Sequence, residues 1–286
     1  MTDLAGKIAM VTGANSGLGK ASAIGLAKLG ATVIMVCRDQ ARGEAARQEV
    51  IAASQNASVE LLLADLSSQQ AIRQLVKTFR ATHDRLHILV NNAGGVFNQR
   101  VESVDGIEYS LAFNHLASFL LTNLFLDVLK ASAPARIINV GTRLNATIDL
   151  DDIQFKTRPY GGLRAYSQTK LGNIMFTYEL AKQLEGSGIT VNCVHPGVFK
   201  SNLGKNNKEQ PLFLRLAGLI GTVILPDANK ASERVLYLAT SPDVEGVSGK
   251  YFADKRPITS PPQTYDQAAR KRLWQISADL THLHST

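Results

Sequence analysis

The chain has 286 residues, 45% of them hydrophobic and 19% charged, which is typical of a globular protein that buries a substantial core. The formal net charge of +7 comes from Lys and Arg residues that are scattered, with no run of four or more, so the sequence argues against nucleic-acid binding. The longest apolar stretch, residues 211–226, is interrupted by Arg215 and is too short to cross a bilayer, so no transmembrane segment is expected.

Short β-branched apolar runs alternate with longer helical patterns along most of the chain. Nearly all of these runs are apolar on both faces, as expected when helices cover both sides of a parallel sheet. The alternation predicts an α/β fold built on a doubly wound parallel sheet of about seven strands, with helices on both faces. The predicted strands are Lys7–Thr12, Thr32–Cys37, Val59–Leu63, Ile88–Asn91, Arg136–Val140, Thr190–Val194 and Gly249–Phe252.

The predicted helices are Gly17–Gly30, Ala41–Ser54, Gln69–Thr82, Val104–Lys130, Ala165–Glu185 and Asn229–Ala239. No internal repeat or Pro/Gly/Ser-rich linker divides the chain, which predicts a single domain over residues 1–286. Two regions break the rhythm: a polar connector, Leu144–Arg164, and a long insertion near residues 202–227. Because long excursions in a compact α/β domain are more often functional than structural, the insertion is interpreted as a substrate loop. Residues near 255–286 form a C-terminal extension.

The first predicted strand leads into a glycine-rich turn, Thr-Gly-Ala-Asn-Ser-Gly-Leu-Gly, at residues 12–19. Its glycines allow a sharp turn and a close approach to a pyrophosphate, whose charge lies at the N-terminus of the following helix. Between a strand and a helix, this turn predicts a Rossmann-type dinucleotide-binding domain. Its spacing resembles the cofactor turn of the short-chain dehydrogenase/reductase family. The resemblance implies cofactor contacts from Gly13, Asn15, Ser16, Gly17, Leu18 and Gly19.

The end of the second predicted strand indicates which dinucleotide binds. An NAD site usually places a carboxylate there for the ribose 2′-hydroxyl, whereas a 2′-phosphate needs a cation. Arg38 is the first side chain past this strand, and Asp39, one residue later, is expected to point the other way. Many NADP-dependent members of the family carry a basic residue where this chain has the uncharged Ser16. The sequence therefore predicts NADP(H) in preference to NAD(H), with the alternative that Arg38 is only an exposed strand-end residue.

Three further segments resemble cofactor contacts of the same family. Asp65 and Leu66 follow the third strand and resemble the adenine contact. Residues 91–94 (Asn-Asn-Ala-Gly) follow the fourth strand and resemble the segment in which Asn91 braces the sheet and the next residues pass beside the cofactor. Residues 195–201 resemble the segment that closes over the nicotinamide. The resemblance implies that the cofactor-binding residues here are Asp65, Leu66, Asn92, Ala93, Gly94, Pro196, Gly197, Val198 and Ser201.

Tyr166 and Lys170 are four positions apart on a predicted helix, so their side chains lie on one face. A phenol with its ordinary pKa of about 10 exchanges protons poorly at neutral pH, and a nearby ammonium is expected to lower that pKa. Tyr166 could then protonate an alkoxide during reduction, or deprotonate an alcohol in reverse. The pair resembles the family's Tyr-x-x-x-Lys motif, which implies that both residues contact the cofactor and that Lys170 binds the nicotinamide ribose.

Two more catalytic residues are implied by the resemblance. Where most relatives have two serines at the end of the fifth strand, this chain has Gly141 and Thr142. Thr142 keeps a hydroxyl that could bind the substrate oxygen, although its branched Cβ restricts the side chain. The alternative is that Thr142 only packs and catalysis is slow or absent. Asn114 matches a helix asparagine that relays protons through water to the lysine, or is a satisfied core residue.

Longer stretches resemble one branch of the family, the retinol-dehydrogenase-like and protochlorophyllide-reductase-like group. They include residues 37–39, 114–122, 167–179, 237–242 and 246–252. This resemblance implies a small lipophilic alcohol or carbonyl substrate, interconverted by hydride transfer. Residues 211–226 could form a lipophilic substrate wall, make a peripheral membrane contact or be an ordinary core helix.

Two alternative functions remain open. The missing serine at position 141 is compatible with a non-catalytic NADP(H)-binding sensor or scaffold. Light-driven reduction of a porphyrin double bond is disfavoured, because no cysteine is expected near the Tyr166–Lys170 helix to serve as a second proton donor.

The two cysteines, Cys37 and Cys193, lie in apolar strand-like runs and are expected to be buried thiols in a reducing compartment. Because no signal-peptide pattern precedes the first strand, a cytoplasmic location is expected. No histidine shows metal-ligand spacing, so no metal is predicted. Either a homodimer or a monomer is compatible with the long helices.

Overall fold

A computed structural model describes residues 2–143, 146–197 and 227–283, and in these residues eight strands form one sheet. The strands are β1 (Ile8–Thr12), β2 (Thr32–Cys37), β3 (Val59–Leu63), β4 (Ile88–Asn91), β5 (Ala135–Val140), β6 (Ile189–His195), β7 (Lys250–Ala253) and β8 (Arg256–Pro257). Their spatial order is β3-β2-β1-β4-β5-β6-β7-β8, and β1 to β7 are all parallel. The order reverses between β1 and β4, where doubly wound sheets form their ligand crevice.

Helices cover both faces of the sheet, which confirms the predicted fold class. In chain order they are α1 (Gly17–Lys28), α2 (Gln40–Ser54), α3 (Gln69–Arg80), α4 (Tyr109–Leu111), α5 (Ala117–Leu124), α6 (Leu126–Ala131), α7 (Gly162–Gln183), α8 (Ala228–Thr240) and α9 (Gln267–Leu280). A π-helical segment, Ala112–Leu116, joins α4 to α5. Short 3₁₀ turns lie at Pro242–Val244 and Pro262–Tyr265.

The strands bury side chains on both of their faces, as their continuous apolar sequences predict. One core lies between the sheet and α3, α5 and α7, and it is rich in aromatic side chains such as Phe79, Phe119 and Phe176. The other core lies under α1, α2 and α8, where small residues such as Ala23 allow the helix to approach the strands closely. Both cores contain alternate residues of β1, so the central strand has no solvent-facing side.

The structure corrects the predicted helix Val104–Lys130. Helical structure begins only at Tyr109, because Gly106 has a φ of +71°, outside the helical region. The carboxylate of Glu108 then accepts hydrogen bonds from two backbone amides of the first turn, both at 2.7 Å, and so caps the helix. Beyond the π-helical segment, the helix is broken again at Phe125.

The C-terminal extension contains two elements that the sequence pattern did not reveal. Strand β8 is only two residues long, pairs antiparallel with β7 and raises the strand count from the predicted seven to eight. Its Pro257 has no amide donor and suits an edge. Helix α9 buries Leu273 against a small apolar cluster with residues of α7, such as Leu171 and Met175. The predicted substrate loop near 202–227 lies outside the described residues up to 226.

Candidate functional site

A cleft of about 950 Å³ lies at the carboxyl ends of the central strands, where the strand order reverses. Such crevices bind ligands in doubly wound sheets. Most of the predicted site residues line it, namely Gly13, Asn15, Ser16, Gly17, Leu18, Gly19, Arg38, Leu66, Asn92, Ala93, Gly94, Thr142, Tyr166, Lys170, Pro196 and Gly197. Asp65 and Asn114 do not line it. Val198 and Ser201 lie outside the described residues.

The glycine-rich turn has the geometry that a phosphate-binding cradle requires. Gly13 has a φ of +65°, and a Cβ there would lie 3.1 Å from the Cα of Ala93. A Cβ on Gly19 would lie 2.6 Å from the side-chain amide of Asn92 and would also collide with the Gly13 carbonyl. At the start of α1, the Ser16 side chain makes no capping hydrogen bond, so the first-turn amides have no side-chain acceptor. These residues fit a pyrophosphate.

Hydrogen bonds join this turn to the loop after β4. The Thr12 hydroxyl accepts the backbone amides of Asn92 at 2.9 Å and Ala93 at 3.0 Å. The Asn92 side chain donates to the Thr12 carbonyl at 2.7 Å. In the sheet below, the amide of Asn91 donates to Asn139 of β5 at 2.9 Å, which confirms the prediction that Asn91 braces the sheet. The two walls of the cleft are therefore fixed to each other.

Two arginines stand at the end of the cleft beside β2. Arg38 is exposed, lines the cleft and donates to the hydroxyl of Tyr109 across it at 3.4 Å. Arg42, on the first turn of α2, also lines the cleft. The carboxylate of Asp39 caps α2 by accepting the Arg42 amide at 2.8 Å, and this hydrogen bond lowers the pKa of Asp39. Asp39 therefore caps its own helix and also lies 3.6 Å from the Arg42 guanidinium. Contrary to the expectation that it points the other way, Asp39 lines the cleft beside the two arginines.

Of the two residues predicted to contact the adenine, only one lines the cleft. Leu66 lines it, but the carboxylate of Asp65 accepts the amide of Ser67 at 2.9 Å and its hydroxyl at 2.7 Å. Asp65 therefore shapes the loop instead of facing the cleft, because a short carboxylate after a strand readily closes a local turn.

Tyr166 and Lys170 lie on one face of α7 and both line the cleft, with the ammonium 5.8 Å from the centre of the phenol ring. Lys170 is only 3% exposed, its Nζ donates to the Val140 carbonyl at 2.9 Å, and burial lowers its pKa to about 8. The predicted lowering of the Tyr166 pKa is wrong for this structure: desolvation raises it to about 12. The physical reason is that the ammonium is directed at the backbone of β5 instead of the phenol oxygen.

Thr142 lines the cleft just after β5, on the side that carries Tyr166. The preceding residue is glycine because a Cβ at position 141 would lie 2.6 Å from the Cys193 sulfur. Cys193 is fully buried and packs with Ile174 of α7. A cysteine thus does lie against this helix, contrary to the sequence interpretation, but it does not line the cleft.

Asn114 lies in the π-helical segment and is completely buried. Its side chain holds Gly95 from both sides, accepting the amide at 2.8 Å and donating to the carbonyl at 3.0 Å. A Cβ on Gly94 would lie 3.0 Å from the Lys170 Nζ and 3.3 Å from the Asn114 oxygen, so this glycine permits their close approach. Asn114 therefore supports the edge of the cleft from behind.

At the opposite end of the cleft, the loop after β6 is held by ionic contacts. Arg234 of α8 pairs with Asp254 and donates to the Pro196 carbonyl at 3.0 Å. The His195 ring accepts the Arg143 amide at 3.2 Å, and burial together with the charges of Arg234 and Arg143 lowers the pKa of His195. His195 is therefore a neutral acceptor at physiological pH.

Several lining residues were not predicted from the sequence. They include Cys37, Asp39, Arg42, Glu49, Val96, Phe97, Tyr109, Phe113, Arg143 and His195. Arg42 lies in the first turn of the helix that follows Arg38, and this closeness in sequence is the signal that could have identified it. The three aromatic residues pack on one another, with ring centres 4.7 to 6.1 Å apart, and nothing in a single sequence distinguishes them from core side chains.

Neither a metal site nor a membrane span is found in the part of the chain that the structure describes. Over residues 2–143, 146–197 and 227–283, no three His, Cys, Asp or Glu side chains group as ligands for an ion. Over the same residues, no helix has both the length and the apolarity needed to cross a bilayer.

Comparisons with known proteins agree with this geometry. Residues 7–212 match the family model described as short chain dehydrogenase. Retinol dehydrogenase 14 of Mus musculus is 40% identical over 95% of this chain and 85% of its own length, and human retinol dehydrogenase 13 is 38% identical over 98% and 86%.

Solved structures are similar as well. An uncharacterized protein from Mycobacterium paratuberculosis superposes with a TM-score of 0.79 at 29% identity, covering 99% of this chain and 96% of the other. A Pseudomonas aeruginosa RhlG/NADP active-site complex gives a TM-score of 0.69 at 28% identity, covering 87% of this chain and 95% of the other.

Proposed function

Because the chain belongs to the short-chain dehydrogenase family, we propose that it is an NADP(H)-dependent oxidoreductase that interconverts a lipophilic alcohol and its aldehyde or ketone. The observation that carries this proposal is the cleft itself. It brings a glycine cradle, the two arginines Arg38 and Arg42 and the Tyr166, Lys170 and Thr142 side chains to one crevice.

The residues present fit a nicotinamide dinucleotide. The turn from Gly13 to Gly19 would hold the pyrophosphate, since added side chains there would collide with the opposite wall. Arg38 and Arg42 would bind a 2′-phosphate, and the Asp39 carboxylate between them is held as a helix cap and by Arg42. The RhlG relative at 28% identity has NADP in its described complex, which supports the same choice. A bound nicotinamide supplies or accepts the hydride.

In this proposal Tyr166 is the general acid that donates the proton to the substrate oxygen. With its pKa raised to about 12, the phenol is protonated at neutral pH, which is the form needed to protonate a developing alkoxide during carbonyl reduction. Thr142 would donate its hydroxyl to the same substrate oxygen. Lys170 contributes charge close to the ring, and Asn114 fixes the backbone beside it. For the reverse reaction, the Lys170 ammonium must favour the phenolate more strongly than it does here.

A carbonyl panel tests the substrate class. The retinol dehydrogenase relatives and the aromatic wall of Phe97, Tyr109 and Phe113 support a lipophilic substrate. We expect kcat/KM for a medium- or long-chain aldehyde or a retinoid-like aldehyde to exceed that for a polar sugar by at least about tenfold, because each buried methylene contributes about 0.8 kcal/mol. NADPH consumption is the measurement. Equal turnover of polar and apolar carbonyls contradicts the lipophilic assignment.

A second candidate is a non-catalytic NADP(H)-binding sensor or scaffold. Two features support it: Gly141 stands where the family resemblance implies a serine, and the Lys170 ammonium is bonded to the Val140 carbonyl. The same panel separates the candidates, since a sensor binds NADPH without oxidising it on any substrate. A cytoplasmic location, a single domain and a monomer or homodimer remain predictions from the sequence.

Removing Arg38 tests the cofactor preference. Arg38→Ala is expected to weaken NADPH binding about 10- to 100-fold, because a charge-assisted contact contributes about 1.5–3 kcal/mol, and to leave NADH binding within about twofold. Fluorescence titration with both dinucleotides measures this. Arg47→Ala is the matched control, since Arg47 lies on α2 but pairs with Glu44 and does not line the cleft. Equal weakening of both cofactors contradicts the assignment of Arg38 to the 2′-phosphate.

A further inference from the structure

A line of buried polar side chains connects the C-terminal helix to the residue behind the cleft. Ser277 of α9 lies 3.0 Å from Nε2 of His115, and Nδ1 of His115 lies 2.9 Å from the side-chain oxygen of Asn173. The Asn173 amide then donates to the backbone carbonyl of Asn114 at 2.9 Å. All four residues are at most 1% exposed, so water does not compete for these groups.

The proton positions along this line are determined by the acceptor at its end, the backbone carbonyl of Asn114. The Asn114 carbonyl can only accept, so the amide nitrogen of Asn173 faces it and the Asn173 oxygen faces His115. The histidine must then donate from Nδ1. Burial lowers the pKa of His115 to about 4, so the ring is neutral and its Nε2 carries no proton. The single proton of the Ser277 hydroxyl has two acceptors in reach, Nε2 of His115 at 3.0 Å and the Leu273 carbonyl at 2.7 Å. The Leu273 carbonyl also accepts the helical amide one turn on, whereas Nε2 has only this donor, so we assign the hydroxyl proton to Nε2 and the line runs in a single direction.

The histidine ring cannot easily leave this position. A Cβ on Gly172 would lie 3.1 Å from Nδ1 of His115, so α7 approaches the ring as closely as a residue without a side chain allows. On the other sides, the rings of Phe119 and Phe176 have centres 6.5 and 6.4 Å from that of the imidazole. The packing therefore holds one orientation, and the hydrogen bonds select one tautomer.

The far end of the line reaches the cleft. The side chain of Asn114 holds Gly95, which lines the cleft, by two hydrogen bonds. It also lies against Gly94, the glycine that Lys170 approaches. A shift of the Asn114 backbone is transmitted to both. Helix α9, in contrast, lies beyond residues 7–212 of the family match, so the match itself does not imply this connection.

We propose that Ser277 and His115 are positioning residues that hold Asn114, and through it the Gly94–Gly95 edge of the cleft and Lys170, in the geometry for reaction. In this proposal, helix α9 contributes to the geometry of the active site through Ser277. The expected effect on turnover rests on the proposed function. The hydrogen bonds themselves, and their direction, do not depend on it.

The test compares two hydroxyl deletions one turn apart. Ser277→Ala removes a hydroxyl that lies 3.0 Å from His115 and 2.7 Å from the Leu273 carbonyl of its own helix. In the control Thr281→Val, the lost hydroxyl bonds only to carbonyls of its own helix, at 2.7 and 3.4 Å, so the two variants differ in the contact with His115. Both variants should lose a similar, small amount of thermal stability. Only Ser277→Ala should lower kcat, by about tenfold with KM for NADPH unchanged, and Ser277→Thr should restore it. Equal kcat values in the two deletion variants overturn the proposal.

Nuclear magnetic resonance supplies a readout that is independent of activity. Long-range ¹H–¹⁵N spectra of the wild-type protein should show His115 protonated at Nδ1 and bare at Nε2, with the signals assigned by their loss in His115→Gln. The backbone amide signal of Gly95 should shift in Ser277→Ala and not in Thr281→Val. A protonated Nε2, or an unmoved Gly95 signal, overturns the proposal. If the wild-type protein reduces no carbonyl, the proposed function fails while these spectra still decide on the positioning.

Discussion

Tyr166→Phe is expected to lower kcat for carbonyl reduction by about 10²- to 10⁴-fold, the range that a general acid contributes, while NADPH still binds. The variant removes one oxygen and keeps the ring that lines the cleft. Because burial raises the pKa of Tyr166 to about 12, the wild-type phenol is protonated throughout the neutral range. The rate of reduction should therefore show no titration of this group below about pH 10.

The matched control is Tyr178→Phe, on the same helix. The Tyr178 hydroxyl shares a hydrogen bond of 2.8 Å with Ser260 and does not line the cleft, so its loss should affect stability and leave the chemical step intact. Steady-state NADPH oxidation, together with NADPH binding by fluorescence, separates the two variants. Undiminished NADPH consumption by Tyr166→Phe on a true substrate means that the proton comes from elsewhere.

Lys170→Met is expected to stabilise the protein at pH 7 while lowering kcat by at least about 10²-fold. Lowering the pKa of the Lys170 ammonium from 10.5 to about 8 corresponds to a cost of about 3 kcal/mol for burying its charge. Losing the hydrogen bond to Val140 returns about 1 kcal/mol of that, so a net gain of about 2 kcal/mol is expected. Urea denaturation of the wild-type and variant proteins measures the difference.

The way in which the stability of the wild-type protein changes with pH distinguishes the cost of burying the Lys170 charge from a simple change in packing. Between pH 8 and 10.5 the unfolded chain keeps the Lys170 proton that the folded protein has lost, so wild-type stability should rise with pH across this window. The methionine variant should lack that rise, and Lys182→Met, an exposed control in the last turn of the same helix, should keep it. A methionine variant less stable than the wild type at pH 7 contradicts the argument.

The sequence was sufficient for the elements whose signal is local. Strand β2, for example, has the bounds of the predicted run Thr32–Cys37, because a short, β-branched apolar run is typical of a strand buried on both faces. The glycine turn was also readable, since its spacing reflects backbone geometry at Gly13 and Gly19 and needs no knowledge of distant residues.

What the sequence did not show depends on contacts between distant positions or on desolvation. Ser277 and His115 are 162 residues apart, and no local pattern joins them. The direction of the Tyr166 pKa shift is set by burial of the phenol, which no local sequence pattern shows. The break in the predicted helix at Gly106 depended on a single positive φ. Local sequence patterns therefore predicted that Tyr166 and Lys170 lie at the cleft. Their pKa values depend on burial, which the sequence does not show.

The fit between Gly141 and the sulfur of Cys193 restricts how this chain can change over generations. Any side chain gained at position 141 would occupy space that the sulfur already fills. A shrinking substitution at 193 has to come first, or arrive together with the enlargement, and the effects of the two changes will not be additive. A serine at position 141 is therefore expected to be accommodated only together with a smaller residue at position 193.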